Sequence, residues 1–210
     1  MNMAVGEEFL RRNNEELVAT WGNLANRVLS FAYRNWDGRV PTPGELRPAD
    51  REILAAVEAG FASVGEQLNA VHLRAALGEA MHLASEVNKY LDQAAPWFEI
   101  KSDKAAAGTT IYTALRAIDS IKVLLAPFIP FSSERLHAFL GYAAPLFGKQ
   151  WVETRQDSLG EHSVLRYSPE NASGRWEPSQ LETGQTLREP APLFKKLDES
   201  IVEEERAKLG

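Results

Sequence analysis

Apolar residues in the first 140 positions recur at helical spacing. From Leu17 the series Leu17, Trp21, Leu24, Val28 and Phe31 advances by three or four residues, a face that needs burial. Asp37-Gly38 and Pro41-Thr-Pro43-Gly44 then break the pattern. Asp50 is placed to cap a second helix carrying Ile53, Leu54, Val57 and Phe61. A third helix is expected from about Asn69, with Leu73, Leu77, Ala80, Ala84, Val87 and Leu91 on one side. Pro96 disfavours helical geometry at Ala95 and should end it. A fourth begins near Thr109, keeps Ile111, Leu115, Ile118, Ile121 and Leu125 in register, and is stopped by Pro127 and Pro130. Ser132 or Ser133 can cap a short fifth helix, Glu134 to Leu140, which Gly141 closes.

Beyond Pro145 no period persists. Residues 146 to 192 are rich in Gly, Pro, Ser, Thr and Glu, and the isolated Trp151 and Trp176 are expected to anchor a strap to a neighbouring surface. Helical spacing returns from Leu193 to Leu209 through Leu197 and Ile201, with Glu203 to Glu205 as a solvated face. The pattern predicts an all-α fold: an antiparallel bundle of about five helices over residues 1–145, then an irregular tail ending in a short helix. That tail, residues 146–210, would be an extended strap and a C-terminal helix packing back on the bundle or on a domain absent from this chain.

Composition narrows the chemistry. The 210 residues include no cysteine, which excludes disulfides, thiolate metal sites and cysteine nucleophiles and suits a reducing, cytoplasmic setting. No apolar run approaches the roughly 20 residues needed to span a bilayer, so no membrane partner is expected. Met1 to Phe9 lacks the basic-then-apolar order of a secretory leader. The net charge of −6 argues against holding nucleic acid mainly by phosphate neutralisation. It leaves room for a protein that reads a few exposed bases. Glycine-rich phosphate loops and serine elbows are missing, and His72, His82, His137 and His162 never fall at metal-pair spacing. Catalytic and metal-binding residues are therefore expected to be none.

Two stretches carry candidate chemistry. In Trp21-Gly-Asn-Leu-Ala-Asn-Arg27, helical geometry puts Asn23, Arg27 and Arg34 within about 40° of one another, flanking the buried stripe. An amide and a guanidinium one turn apart can donate and accept at the edges of unpaired bases. They can equally form a polar helix face with a local hydrogen bond. In Glu86-Val-Asn-Lys-Tyr-Leu-Asp-Gln-Ala-Ala-Pro-Trp97, Asn88, Lys89 and Asp92 face away from the apolar stripe, and Pro96 delivers Trp97 at a helix end. A tryptophan there can stack a splayed base, or fill the end of the bundle core.

The phrases Gly22-Asn-Leu-Ala-Asn-Arg27 and Val87-Asn-Lys-Tyr-Leu-Asp-Gln-Ala-Ala-Pro-Trp97 together resemble the anticodon-binding domain of bacterial methionyl-tRNA synthetases, class I aminoacyl-tRNA synthetases. The likeness continues through Leu124-Leu-Ala-Pro-Phe-Ile-Pro130, Arg135-Leu-His-Ala-Phe-Leu-Gly141, Gly184-x-x-Leu187 and Pro190-Ala-Pro-Leu-Phe-Lys-Lys196. It implies that Asn23, Arg27 and Trp97 read the CAU anticodon of methionine tRNA, with Asn88 and Pro96 shaping the site. It also implies no catalysis and no cofactor in this chain, because ATP and methionine would bind the catalytic domain of a parent ligase. The HIGH-like and KMSKS signatures of that domain do not occur; Lys101-Ser-Asp-Lys104 is a superficial echo in a solvated link. The chain is then expected to be either an excised domain or a separate homologue. Gly148 to Gly174 matches no family phrase and is expected to be a lineage-specific insertion. Three other readings stay open: the equivalent domain of the leucine, isoleucine, valine or cysteine enzyme, a stand-alone tRNA-binding homologue, and a helical interaction module without RNA.

Overall fold

The computed structural model describes residues 3–208, and the side chains of 6–204, 207 and 208. Leu209, the expected end of the last helical pattern, and the Glu205 side chain lie outside the described residues. One continuous helical rod opens the chain: α1 (Met3–Arg11), a π-helical stretch (Arg12–Gly22) and α2 (Asn23–Asn35). Next come α3 (Pro48–Asn69), α4 (Leu73–Ala94), the single turn α5 (Pro96–Glu99), α6 (Lys104–Leu125) and α7 (Pro130–Phe139). A hairpin of β1 (Lys149–Asp157) and β2 (Gly160–Ser168) follows, and α8 (Ser200–Ala207) is the last described element. No described helix is long and apolar enough to cross a membrane.

The fold is mostly helical, as the periodicity predicts. Its core is one cluster, with Trp21, Leu24 and Leu29 against Val57, Val87, Leu91, Leu115, Ile118 and Leu136. α6 sits at the centre: Ile111, Leu115, Ile118, Ile121 and Leu125 are all fully buried. Burying a large aliphatic side chain stabilises by about 1.5–3 kcal/mol, so this register fixes the bundle.

Several boundaries differ from expectation for identifiable reasons. Asp50 is not the N-cap of α3 but its third residue. Pro48 starts the helix, since it has no N–H to satisfy, and the Asp50 carboxylate accepts the Arg47 N–H at 2.7 Å. α4 begins at Leu73, four residues later than expected, and its buried stripe runs Ala76, Ala80, Leu83, Ala84, Val87 and Leu91. Leu73 and Leu77 are exposed, while Ala76 between them is sealed in the core. α6 begins at Lys104, capped by Asp103, whose carboxylate accepts the Ala106 N–H at 2.9 Å. Pro130 opens α7 instead of closing α6, and Ser133 turns inward to donate to the Lys122 carbonyl rather than capping.

The tail adds a small two-stranded sheet to the mostly helical fold. Residues 149–168 form an antiparallel hairpin, Lys149 opposite Ser168 and Asp157 opposite Gly160. Neither face is covered: Val152 and Leu165, paired across the strands, are both largely exposed. Trp176 does anchor, donating its indole N–H to the Phe61 carbonyl at 2.8 Å with its ring edge-on to Phe61. Trp151 stays in the hairpin, partly exposed. Residues 179–197 then run over the bundle, burying Leu181, Leu187 and Leu193 in the core. Val40 donates to the Gln185 carbonyl, and Asn14 exchanges two 2.9 Å hydrogen bonds with the Leu197 backbone. Two glycines permit this course. A β-carbon at Gly22 would sit 2.9 Å from the Phe194 ring, and Gly141 (φ +89°) passes so close to Thr186 that only hydrogen fits. Helical geometry resumes only at Ser200, so Leu193 and Leu197 belong to the irregular run.

A buried polar cluster fastens the end of α6. Lys122 is 2% exposed and pairs with Asp119 at 2.5 Å, while Nδ1 of His137 accepts from its ammonium at 2.8 Å. Tyr142 and Ser179 both donate to Asp119, at 2.7 and 2.6 Å, so the tail is tied to α6 and α7 through satisfied charges. Burial, aided by the charge on Lys122, lowers the His137 pKa to about 4. In the unfolded chain it would be about 6.5, so the unfolded state takes up the proton first as pH falls. The stability held by neutral His137 is complete above pH 6.5 and is lost progressively towards pH 4. Melting temperature should therefore drop across that window, and drop less in His137→Asn; parallel slopes for the two proteins would contradict this role.

Candidate nucleic-acid interface

Where α2 runs beside the last turns of α4, four of the five predicted site residues meet as a connected surface. The Arg27 guanidinium lies over the Trp97 indole, 4.6 Å from its centroid. It also donates to the Asn88 side-chain oxygen at 3.1 Å and to Asp92 at 3.3 Å. Asn88 uses its amide N–H groups on the carbonyls of Thr20 and Ala84, at 3.1 and 3.2 Å. Asn88 therefore ties α4 to the π-helical stretch, a distortion often found where helices carry function. Asn23 stands at the junction between that stretch and α2. It is exposed, its side chain has no hydrogen-bond partner among the described residues, and it lines an open depression with Ala19, Asn26, Arg27 and Asn88.

Pro96, the fifth, is buried and acts through the backbone. Ala95 adopts a left-handed conformation (φ +44°), a strained state for a residue with a β-carbon, and Pro96 then starts α5. The chain thereby turns sharply and sets Trp97 beside Arg27. The indole is half-buried: Phe31 meets it edge-on at 6.3 Å, and Arg27 covers part of a face. Trp97 is thus neither a sealed core residue nor a bare platform. Arg34 is exposed near the end of α2 and lies outside the depression.

A second set of residues, not singled out by the sequence, holds α5 in place. Arg47 bonds Asp50 at 3.1 Å and Glu99 at 3.2 Å, and also reaches Thr110. Tyr90 donates to Asp50 at 2.6 Å. Burial alone would raise the Asp50 pKa, yet hydrogen bonds from Arg47 and Tyr90 prevail and hold it below the ordinary carboxylate value. Glu99 lies two residues after Trp97, so this network couples the indole's position to α3, α4 and α6. The sequence places Asp92 on the same helical face as Asn88, four residues on, but does not show that it pairs with Arg27.

The Arg27 clasp is weak enough to open. The Arg27 and Asp92 side chains are 38% and 66% exposed, and such ion pairs contribute about 0–1 kcal/mol. An exposed cation over an indole adds about 0.5–1 kcal/mol. Stacking one nucleobase on an aromatic ring is worth about 1–3 kcal/mol, so a base can compete for the ring.

Residues 40–167 match the family model described as the anticodon binding domain of methionyl tRNA ligase. The match contains Asn88, Pro96 and Trp97 and ends at residue 167, within the hairpin. The methionine–tRNA ligase of Thermomicrobium roseum is 53% identical over 203 residues, covering 96% of this chain and 35% of that protein. That of Chloroflexus aggregans is 52% identical, covering 96% and 34%. The crystal structure of Mycobacterium tuberculosis methionyl-tRNA synthetase bound by methionyl-adenylate superposes with a TM-score of 0.74 at 27% identity, over 90% of this chain and 33% of that one. The chain spans about a third of the length of these curated relatives. It belongs to the family of methionyl-tRNA ligase anticodon-binding domains.

Proposed function

We propose that this chain reads the CAU anticodon of methionine tRNA, with Asn23, Arg27, Asn88 and Trp97 as the reading surface and Pro96 setting its shape. The observation that carries the reading is the clasp between Arg27 and Trp97, beside an unpartnered Asn23 amide on the same open depression. Loop bases unstack as they arrive, and one, the first anticodon base, takes the indole face that the guanidinium partly covers. Arg27, released from Asp92, turns to a base edge and works with Asn23. Asn88 keeps its bonds to Thr20 and Ala84 and holds the two helices in register. A wrong base leaves buried donors or acceptors unpaired, which costs about 1–3 kcal/mol for each.

In the longer ligase this energy would position the acceptor end of the tRNA in a catalytic domain that binds ATP and methionine, in the cytoplasm. The chain itself would then contribute recognition and neither cofactor nor catalysis. Its net charge of −6 is consistent with modest affinity in isolation.

Trp97→Ala should weaken binding of a CAU anticodon stem-loop by about 1–3 kcal/mol while helical content is retained. A large fall in melting temperature with RNA recognition intact would show the indole to be a core residue. Arg27→Ala should penalise CAU loops more than scrambled loops, measured by the same titration. An equal loss on both would make Arg27 a phosphate contact.

A further inference from the structure

We infer that Trp36 and Lys104 form a second nucleotide station beside the anticodon surface, taking an unpaired base on the indole and its phosphate on the ammonium. The inference rests on the anticodon-reading proposal and extends it by one nucleotide. Phe31 joins the two places: its ring meets Trp97 at 6.3 Å and 87°, and Trp36 at 6.0 Å and 61°, both edge-on. The two indoles thus flank one phenyl ring and lie within about 12 Å of each other, a span that neighbouring nucleotides of an open loop can cover. Each indole also carries a cation from another element. Arg27 of α2 lies over Trp97 of α5, and Nζ of Lys104, the first residue of α6, lies 5.7 Å from the centroid of Trp36 at the end of α2.

Packing against the core covers only part of Trp36. Trp36 is half-buried, backed by α6, where a β-carbon at Gly108 would come within 3.4 Å of its ring, and by the edge of Phe31. Its remaining surface lies beneath an exposed lysine that makes no ion pair among the described residues. A lysine so placed shields the ring loosely and keeps its charge available. Of the carboxylates nearby, Asp92 pairs with Arg27, Asp103 caps α6 and Glu99 pairs with Arg47, while Asp37, next to Trp36, is exposed. Lys104 is in no ion pair among the described residues, so its ammonium can turn to a phosphate without breaking one. A base displacing the ammonium would stack on Trp36, and Lys104 would swing towards that nucleotide's phosphate. Aromatic stacking with a flexible cation is the usual equipment for single-stranded RNA.

The test titrates the full chain with two stem-loops. One carries the CAU loop intact, and the other keeps CAU but is abasic at the loop nucleotides flanking it. Trp36→Leu should lose about fivefold or more in affinity for the intact loop and almost nothing for the abasic one. Lys104→Ala, a change at an exposed residue that spares the fold, should lower the slope of log affinity against log salt by about 0.7. It should also retain the preference for CAU over scrambled loops. If both variants bind both loops as wild type does while Trp97→Ala loses the CAU preference, the second station is wrong and the anticodon site stands. If the wild-type chain does not distinguish CAU from scrambled loops, both readings fall together.

Discussion

Everything at the recognition end depends on a constraint in the backbone: α4 must stop at Ala94 and turn at once through a left-handed Ala95 into Pro96. Without that turn Trp97 would continue along α4, one helical step beyond the bundle, out of reach of α2. With it, the indole folds back beneath a guanidinium presented from a different helix. A strained conformation at a residue with a β-carbon costs about 1–3 kcal/mol and persists only where surrounding contacts enforce it. Here the enforcing contacts are the Arg47–Glu99 pair, the buried Asp50 and the Tyr90 hydroxyl, which tie α5 to the start of α3 and to α4. Stability in the bundle is thereby converted into a fixed position for one aromatic ring.

The molecule divides its charges by task. Asp50, Asp119 and Lys122 are buried and hydrogen-bonded, and each reaches an element distant in sequence, through Tyr90, Ser179 and His137 respectively. Removing one partner from such a set leaves a charge stranded, so these groups specify the arrangement of helices more than they stabilise it. Arg27, Lys101 and Lys104 are partly or fully exposed and rest over Trp97, Phe98 and Trp36. Their contacts are worth little individually, and that is what lets them change partners. Rigid buried charges below and loosely held cations above suit a surface that must accept a flexible loop without losing its own shape.

The helical core was largely legible because burial repeats every three to four residues and the central helix is apolar enough to leave no choice of face. The ends were less legible. Asp50 looks like a cap by residue type, but the preceding Pro48 claims the start of α3, and only the fold reveals that Asp50 is sealed against Tyr90. Leu73 and Leu77 belong to the expected apolar stripe, yet the face that α4 buries runs through Ala76, Ala80, Leu83 and Val87, and both leucines stay exposed. The hairpin escaped detection because none of its residues is buried: Trp151 and Val152 sit side by side on β1, both exposed, without the alternation that a buried face imposes. Within the site, Asn23, Arg27, Asn88, Pro96 and Trp97 could be named from phrases in the chain. The contact of Arg27 with Trp97, and the parts played by Asp92, Phe31 and Glu99, are products of tertiary packing that spacing along one helix cannot convey.

The account is tested most directly by following the indole N–H resonances of the chain in solution as a CAU anticodon stem-loop is added. The Trp97 resonance should move early and saturably as the base replaces the Arg27 guanidinium, while that of Trp151, out in the hairpin, stays in place. A Trp97 signal that is indifferent to CAU, or that shifts equally with a scrambled loop, would contradict the claim that this clasp opens for an anticodon base.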